Sequence, residues 1–129
     1  MPVLEIGSPA ELRKLIASGK PLVVKFEADW CGDCKALRPH FELHTGRLEK
    51  SGVTVARISL SHERTREGER KKAVYPTAEH SALKTEYARE GFPTVVFFKD
   101  GRVVASGLED TGKSYERLVG YFLSRVSKA

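Results

Sequence analysis

The run Leu22-Val23-Val24-Lys25-Phe26-Glu27-Ala28 narrows the fold more than any other stretch, because its first half is apolar at consecutive positions. A strand wetted on one face alternates apolar and polar residues, whereas one apolar at successive positions needs cover on both faces. The chain must then supply helices for two layers. Upstream, Ser8-Pro9-Ala10-Glu11 reads as a helix start. Ser8 caps it, Pro9 brings the fixed φ of a first turn, and Glu11 is placed to reach back as a capping box. Leu12, Leu15 and Ile16 form the buried stripe, Gly19 ends the helix, and Pro21 forbids its continuation. Downstream, Leu37, Phe41 and Leu48 keep helical spacing through Pro39, which is expected to kink the helix, and Gly52 closes it.

Residues 53–58 form a second β-rich run, and the charged stretch 62–72 reads as loop. Thr77 is placed to cap a helix carrying Ala78, Ala82, Leu83 and Tyr87 and stopping at Gly91. Two further β-rich runs, 94–98 and 103–105, flank Asp100-Gly101, a strong hairpin signal. Leu118, Val119, Phe122, Leu123 and Val126 mark a C-terminal amphipathic helix, and residues 3–6 suggest an additional first strand. Helix-connected parallel strands ending in an antiparallel hairpin predict an α/β fold, a central mixed sheet with helices on both faces. At 129 residues and 40% apolar, the chain has material for one domain over 1–129.

Composition removes several function classes. The longest apolar run, Val95-Val96-Phe97-Phe98, is far short of the ~20 residues of a bilayer-crossing helix, so no membrane partner is expected. The first residues lack the basic start and apolar run of a secretory signal, which makes a cytoplasmic location the expectation and leaves a periplasmic one open if a leader was removed. The net charge of +5 arises from 22 basic and 17 acidic residues mixed along the chain. Stretch 62–72 carries five basic and three acidic side chains, neither of one sign nor interleaved with stacking aromatics, so no nucleic-acid partner is expected. Two cysteines cannot staple an extracellular scaffold. Zinc would have to recruit His40 and His44 from the same short helix, which crowds four ligands, so no metal is expected. His40 and His44 are read as exposed, and Tyr75, Tyr87, Tyr115 and Tyr121 as packing residues.

Cys31-Gly32-Asp33-Cys34 follows the first strand directly and opens a helix. Unpaired N–H groups and aligned peptide dipoles at a helix start favour an anion, so Cys31 is the expected nucleophile. Cys34, three residues on, is expected deeper in the first turn and close enough to displace a mixed disulfide. Ala28-Asp29-Trp30-Cys31-Gly32-Asp33-Cys34-Lys35, with Pro39 beyond it, resembles the active-site signature of the thioredoxin superfamily. Gly91-Phe92-Pro93-Thr94-Val95-Val96-Phe97-Phe98-Lys99-Asp100-Gly101 is similar to the segment bearing that family's cis-proline, and the resemblance spans 8–126. It implies a thioredoxin fold and a thiol–disulfide oxidoreductase that uses no cofactor beyond a Cys31–Cys34 disulfide. By the same resemblance Cys31 attacks, Cys34 resolves, and Pro93 is cis and packs beside the sulfurs, leaving neighbouring backbone free to pair with a substrate strand. Trp30, Gly32, Asp33, Phe92 and Gly107 would border the substrate groove, with Trp30 half-buried. The implied partners are proteins carrying disulfides and a dithiol electron donor such as a thioredoxin reductase, met by a monomer.

Departures from the family pattern carry expectations of their own. Lys25 stands where the family typically buries an aspartate, and Glu27 where it has a tryptophan. Strand periodicity puts both on one face, so they are expected to pair, with Glu27 taking the proton from Cys34; the alternative is that Lys25 snorkels to solvent. Asp33 replaces the proline common between the cysteines, and its charge opposes thiolate formation while the helix start favours it. Residues 62–76, ahead of the helix at 77–90, look like the insertion of bacterial thioredoxin-like proteins and are expected at the active-site end, selecting partners. Two other functions fit the pattern: an oxidase or isomerase in an oxidising compartment, and a binding or chaperone module.

Overall fold

Every residue of Leu22–Ala28 is buried, the charged Lys25 and Glu27 included. The computed structural model describes residues 3–64, 72–108 and 112–126. Along the chain lie β1 (Leu4–Glu5), α1 (Pro9–Ala17), β2 (Leu22–Ala28), α2 (Gly32–Lys50), β3 (Thr54–Arg64), β4 (Lys72–Val74), α3 (Ala78–Tyr87), β5 (Thr94–Lys99), β6 (Arg102–Leu108) and α4 (Gly112–Val126). The sheet runs β1-β3-β2-β5-β6, and β4 joins only the far end of β3. β1 and β2 flank β3 in parallel, while β5 is antiparallel to both β2 and β6.

This strand order dictates the layers. The connection from β1 to β2 steps across the sheet one way, and that from β2 to β3 steps back. Right-handed crossovers in opposite directions lay their helices on opposite faces. Accordingly Leu12 and Ile16 of α1 pack with Leu83 of α3 on Leu22, Val24 and Phe26. On the other face Leu37 and Phe41 of α2 join Tyr115, Val119 and Phe122 of α4 against Val23. Outside the carboxyl ends of β2 and β3 the layers part, which is where open α/β sheets place their sites. Among the described residues, no helix is long and apolar enough to cross a membrane.

Local signals act largely as their chemistry requires. Ser8 Oγ accepts the Glu11 N–H at 3.2 Å, but the Glu11 carboxylate bonds the Gly7 N–H at 3.1 Å, one residue outside the expected capping box. α2 runs through Pro39 to Lys50. Asp100 and Gly101 take φ of 57° and 76°, the paired positive values of a type I′ turn, and join Lys99 directly to Arg102. A bulge between Phe97 and Phe98 then offsets β6, setting Gly107 opposite Val95.

Several expectations are corrected. β3 continues past residue 58 to Arg64 and pairs antiparallel with β4, so part of the charged stretch is strand, while residues 65–71 of the expected insertion lie outside the described residues. α3 ends at Tyr87 and buries Leu83, leaving Ala78 and Ala82 exposed; Gly91 belongs to the following loop. Tyr121 is exposed beneath the Arg125 guanidinium. His44 is buried, with its ring edge-on to Tyr115 at 5.7 Å and its Nδ1 3.3 Å from Arg47 Nη1.

Burial, with the charge of Arg47, holds His44 below the ordinary 6.5; Glu116 pulls the other way and His40 adds to the depression. The folded chain therefore refuses a proton that the unfolded chain accepts. Stability is complete above the unfolded value and drains as pH falls below it. Thermal unfolding followed between about pH 7 and pH 5 should show Tm dropping with acid, and His44→Gln should flatten that slope.

Candidate active site

β2 hands the chain to α2 through a turn at Asp29 and Trp30. The turn is pinned by the Asp29 N–H on the Ser61 carbonyl at 3.1 Å and the Cys31 N–H on the Ala28 carbonyl at 3.2 Å. Cys31 is the cap of α2, with extended backbone, and its Sγ accepts the Cys34 N–H at 3.1 Å. A sulfur thus occupies the place a serine or aspartate oxygen takes at other helix starts, facing unpaired N–H groups and the positive end of the helix. Both cysteines are free thiols; Cys31 is 6% exposed and Cys34 1%. Burial drives the Cys34 thiol far up, and its hydrogen bond with Cys31 and the charges of Cys31 and Glu27 push the same way; a backbone bond with Ala28 opposes them.

Beneath Cys34 lies the ion pair. Lys25 Nζ donates to the Cys34 carbonyl at 3.0 Å, sits 3.4 Å from Glu27 Oε2, and lies 5.5 Å from the centre of the Phe41 ring. Lys25 is fully buried, so the snorkelling alternative fails. The second Glu27 oxygen faces Arg57 Nε at 3.9 Å, and Arg57 is anchored in turn by Glu5. A cleft of about 290 Å3, lined among others by Glu27, Asp29, Lys35, Arg38 and Arg57, brings solvent to this carboxylate. Arg57 was not among the expected site residues. The parallel register that sets it beside Lys25 is the signal that reveals it, and that register is a tertiary fact.

The other wall comes from the loop before β5. Gly91 takes φ 130°, its N–H bonds the Ala88 carbonyl at 3.1 Å, and Thr94 Oγ1 donates back to the Gly91 carbonyl at 2.7 Å. Between these ties the Phe92–Pro93 bond is cis. Phe92 packs on the Ala28, Cys31 and Cys34 cluster and meets Trp30 edge-on at 5.9 Å. Trp30 is 40% exposed, and its Nε1 donates to Ser61 Oγ at 3.1 Å. Gly107 stands on β6 beside the same end of β5. Gly32 and Asp33 are exposed in the first turn of α2, and a Cβ on Gly32 would meet nothing within 4 Å. Among the described residues, no three His, Cys, Asp or Glu side chains gather as a metal ion would require.

Removing one member of a buried ion pair strands the other charge and costs about 3–5 kcal/mol, whereas replacing both costs little. Glu27→Gln should therefore destabilise the fold by roughly 3 kcal/mol in urea titration, and Lys25→Met added to it should recover most of the loss.

The thioredoxin-like domain family matches residues 8–123. A thioredoxin of Mycoplasmoides gallisepticum is 31% identical over 98 residues, covering 76% of this chain and 79% of that protein. A protein disulfide-isomerase of Oryctolagus cuniculus is 29% identical over 116 residues, covering 88% of this chain but 19% of its own length, so the chain spans only about a fifth of that relative. The solution structure of oxidised thioredoxin from Plasmodium falciparum superposes with a TM-score of 0.71 at 20% identity, covering 95% of this chain and 99% of that one. With the fold, the paired cysteines and the match over residues 8–123 in agreement, the chain belongs to the thioredoxin-like domain family.

Proposed function

We propose that this chain is a thiol–disulfide oxidoreductase acting on disulfides in other proteins. The observation that carries the reading is Cys31 Sγ at the cap of α2, accepting the N–H of the second cysteine one turn away. In the reducing direction, the Cys31 thiolate attacks one sulfur of the partner disulfide. A Cys31–partner bond forms and the partner's other sulfur leaves as a thiolate. Cys34 then gives up its proton and attacks Cys31 Sγ, closing the Cys31–Cys34 disulfide and releasing the partner's second thiolate. Two electrons pass from the chain to the partner, and a dithiol donor restores the pair. Run backwards, the same steps oxidise or isomerise a partner.

Glu27 is the group suited to accept the Cys34 proton. Its ionised charge contributes to holding that thiol protonated, and the cleft connects it to water. Lys25 fixes the Cys34 backbone and balances Glu27. Trp30, Gly32, Asp33 and Phe92, with the backbone at Pro93 and Gly107, would receive an extended substrate segment. Every one of these groups comes from one chain, so a monomer is sufficient. The relatives named thioredoxin and protein disulfide-isomerase support the chemistry and leave its direction to the redox poise.

Cys34→Ser should trap a mixed disulfide with insulin that runs as a covalent adduct on a non-reducing gel, and Cys31→Ser should trap none. Insulin reduction that persists without either cysteine would sink the assignment. The equilibrium potential of the pair against glutathione gives the direction: at or below the cytosolic poise for a reductant, well above it for an oxidant. Glu27→Gln should slow resolution of the mixed disulfide by about a hundredfold while leaving alkylation of Cys31 unchanged.

A further inference from the structure

Ser61 stands where three features meet. β3 carries one residue too many opposite β2: Glu27 pairs with Ser59 and Ala28 with Ser61, leaving Leu60 as the extra residue. A bulge bends its strand and re-aims the side chains beyond it. Here Leu60 stays in the apolar core, and Ser61, 2% exposed, is brought round to the Trp30 indole. The next residue, His62, begins the two-stranded arm with β4, pairing with Val74. The Ser61 carbonyl also holds the Asp29 N–H, so both the backbone and the side chain of the turn before Cys31 are tied to this one residue.

The indole is the exposed wall of the groove, and an exposed ring with a free N–H would swing among rotamers. A hydrogen bond to a buried hydroxyl holds it in one of them, which lowers the ordering cost of binding. We infer that Ser61 is a specificity-positioning residue. By locking Trp30 to the base of the β3–β4 arm, it presets the groove for disulfides carried on an extended protein segment and contributes nothing toward small disulfides. This rests on the oxidoreductase reading above. A small disulfide needs only the two sulfurs, whereas a protein segment must lie across Trp30 and Phe92.

The test compares the natural chain with Ser61→Ala in reducing insulin and hydroxyethyl disulfide. One neutral hydrogen bond translates to about a three- to tenfold effect. The KM for insulin should rise by that factor with kcat unchanged, and both constants for hydroxyethyl disulfide should stay as they were. Trp30 is the sole tryptophan, so its emission reports directly whether the ring has been released in a folded protein. Trp30→Phe severs the same bond from the other side, and Ser61→Ala added to it should cost nothing further; this cycle also covers a Ser61→Ala chain that folds poorly alone. An unchanged insulin KM, an equal loss on both disulfides, or a full additional loss in the double variant overturns the inference. A natural chain that reduces neither insulin nor hydroxyethyl disulfide overturns the oxidoreductase reading itself.

Discussion

A strand at the middle of a two-faced sheet is largely cut off from water, and β2 is such a strand: Lys25 is fully buried and Glu27 nearly so, and each neutralises the other. They sit on the α2 face, two residues apart on one side of the pleat. Their mutual attraction therefore falls directly under the first turn of α2. An ammonium alone at that depth would cost several kcal/mol, far more than any one contact nearby could return. With the carboxylate present, the lysine can spend a donor on the Cys34 carbonyl. What holds the core neutral also holds Cys34 in place.

The site draws on both faces of the sheet. α2 brings the two sulfurs from one layer, while the loop after α3 brings Phe92 and Pro93 from the other. Neither half is built by a long-range search of flexible chain. The cap of α2 and the glycine-supported loop at Gly91 are local structures whose positions follow from where β2 and β5 pair. The sulfur chemistry is therefore imposed by backbone geometry, and the side chains around it adjust how easily protons and partners arrive.

Much of this was legible in the chain itself, for identifiable reasons. Caps, breakers and periodic stripes act over a few residues, so Ser8, Gly19, Thr77 and the Asp100-Gly101 turn could be read without knowing the fold. The facing of Lys25 toward Glu27 needed only the two-residue period of a strand. What failed to show were features decided by contacts between distant segments. The charged residues 62–64 look like loop because their β-pairing partner lies across an intervening stretch, and β3 consequently seemed to stop early. His44 resembles its neighbour His40 in sequence, and only the passage of α4 over one and not the other buries it. Arg57 and Ser61 each depend on the register of β3 against β2, which a bulge shifts at Leu60.

The Asp100-Gly101 turn lies at the other end of β5 from the Phe92–Pro93 bond, yet it helps to decide which residue of β6 stands opposite Val95. Because only two residues reverse the chain, β6 has no slack with which to slide, and the bulge at Phe97 and Phe98 sets its offset. A single residue inserted there would carry Gly107 out of line with Val95 and bring Ser106 opposite it instead. A change at one end of the sheet would thus be felt at the other, with both sulfurs still in their original seats.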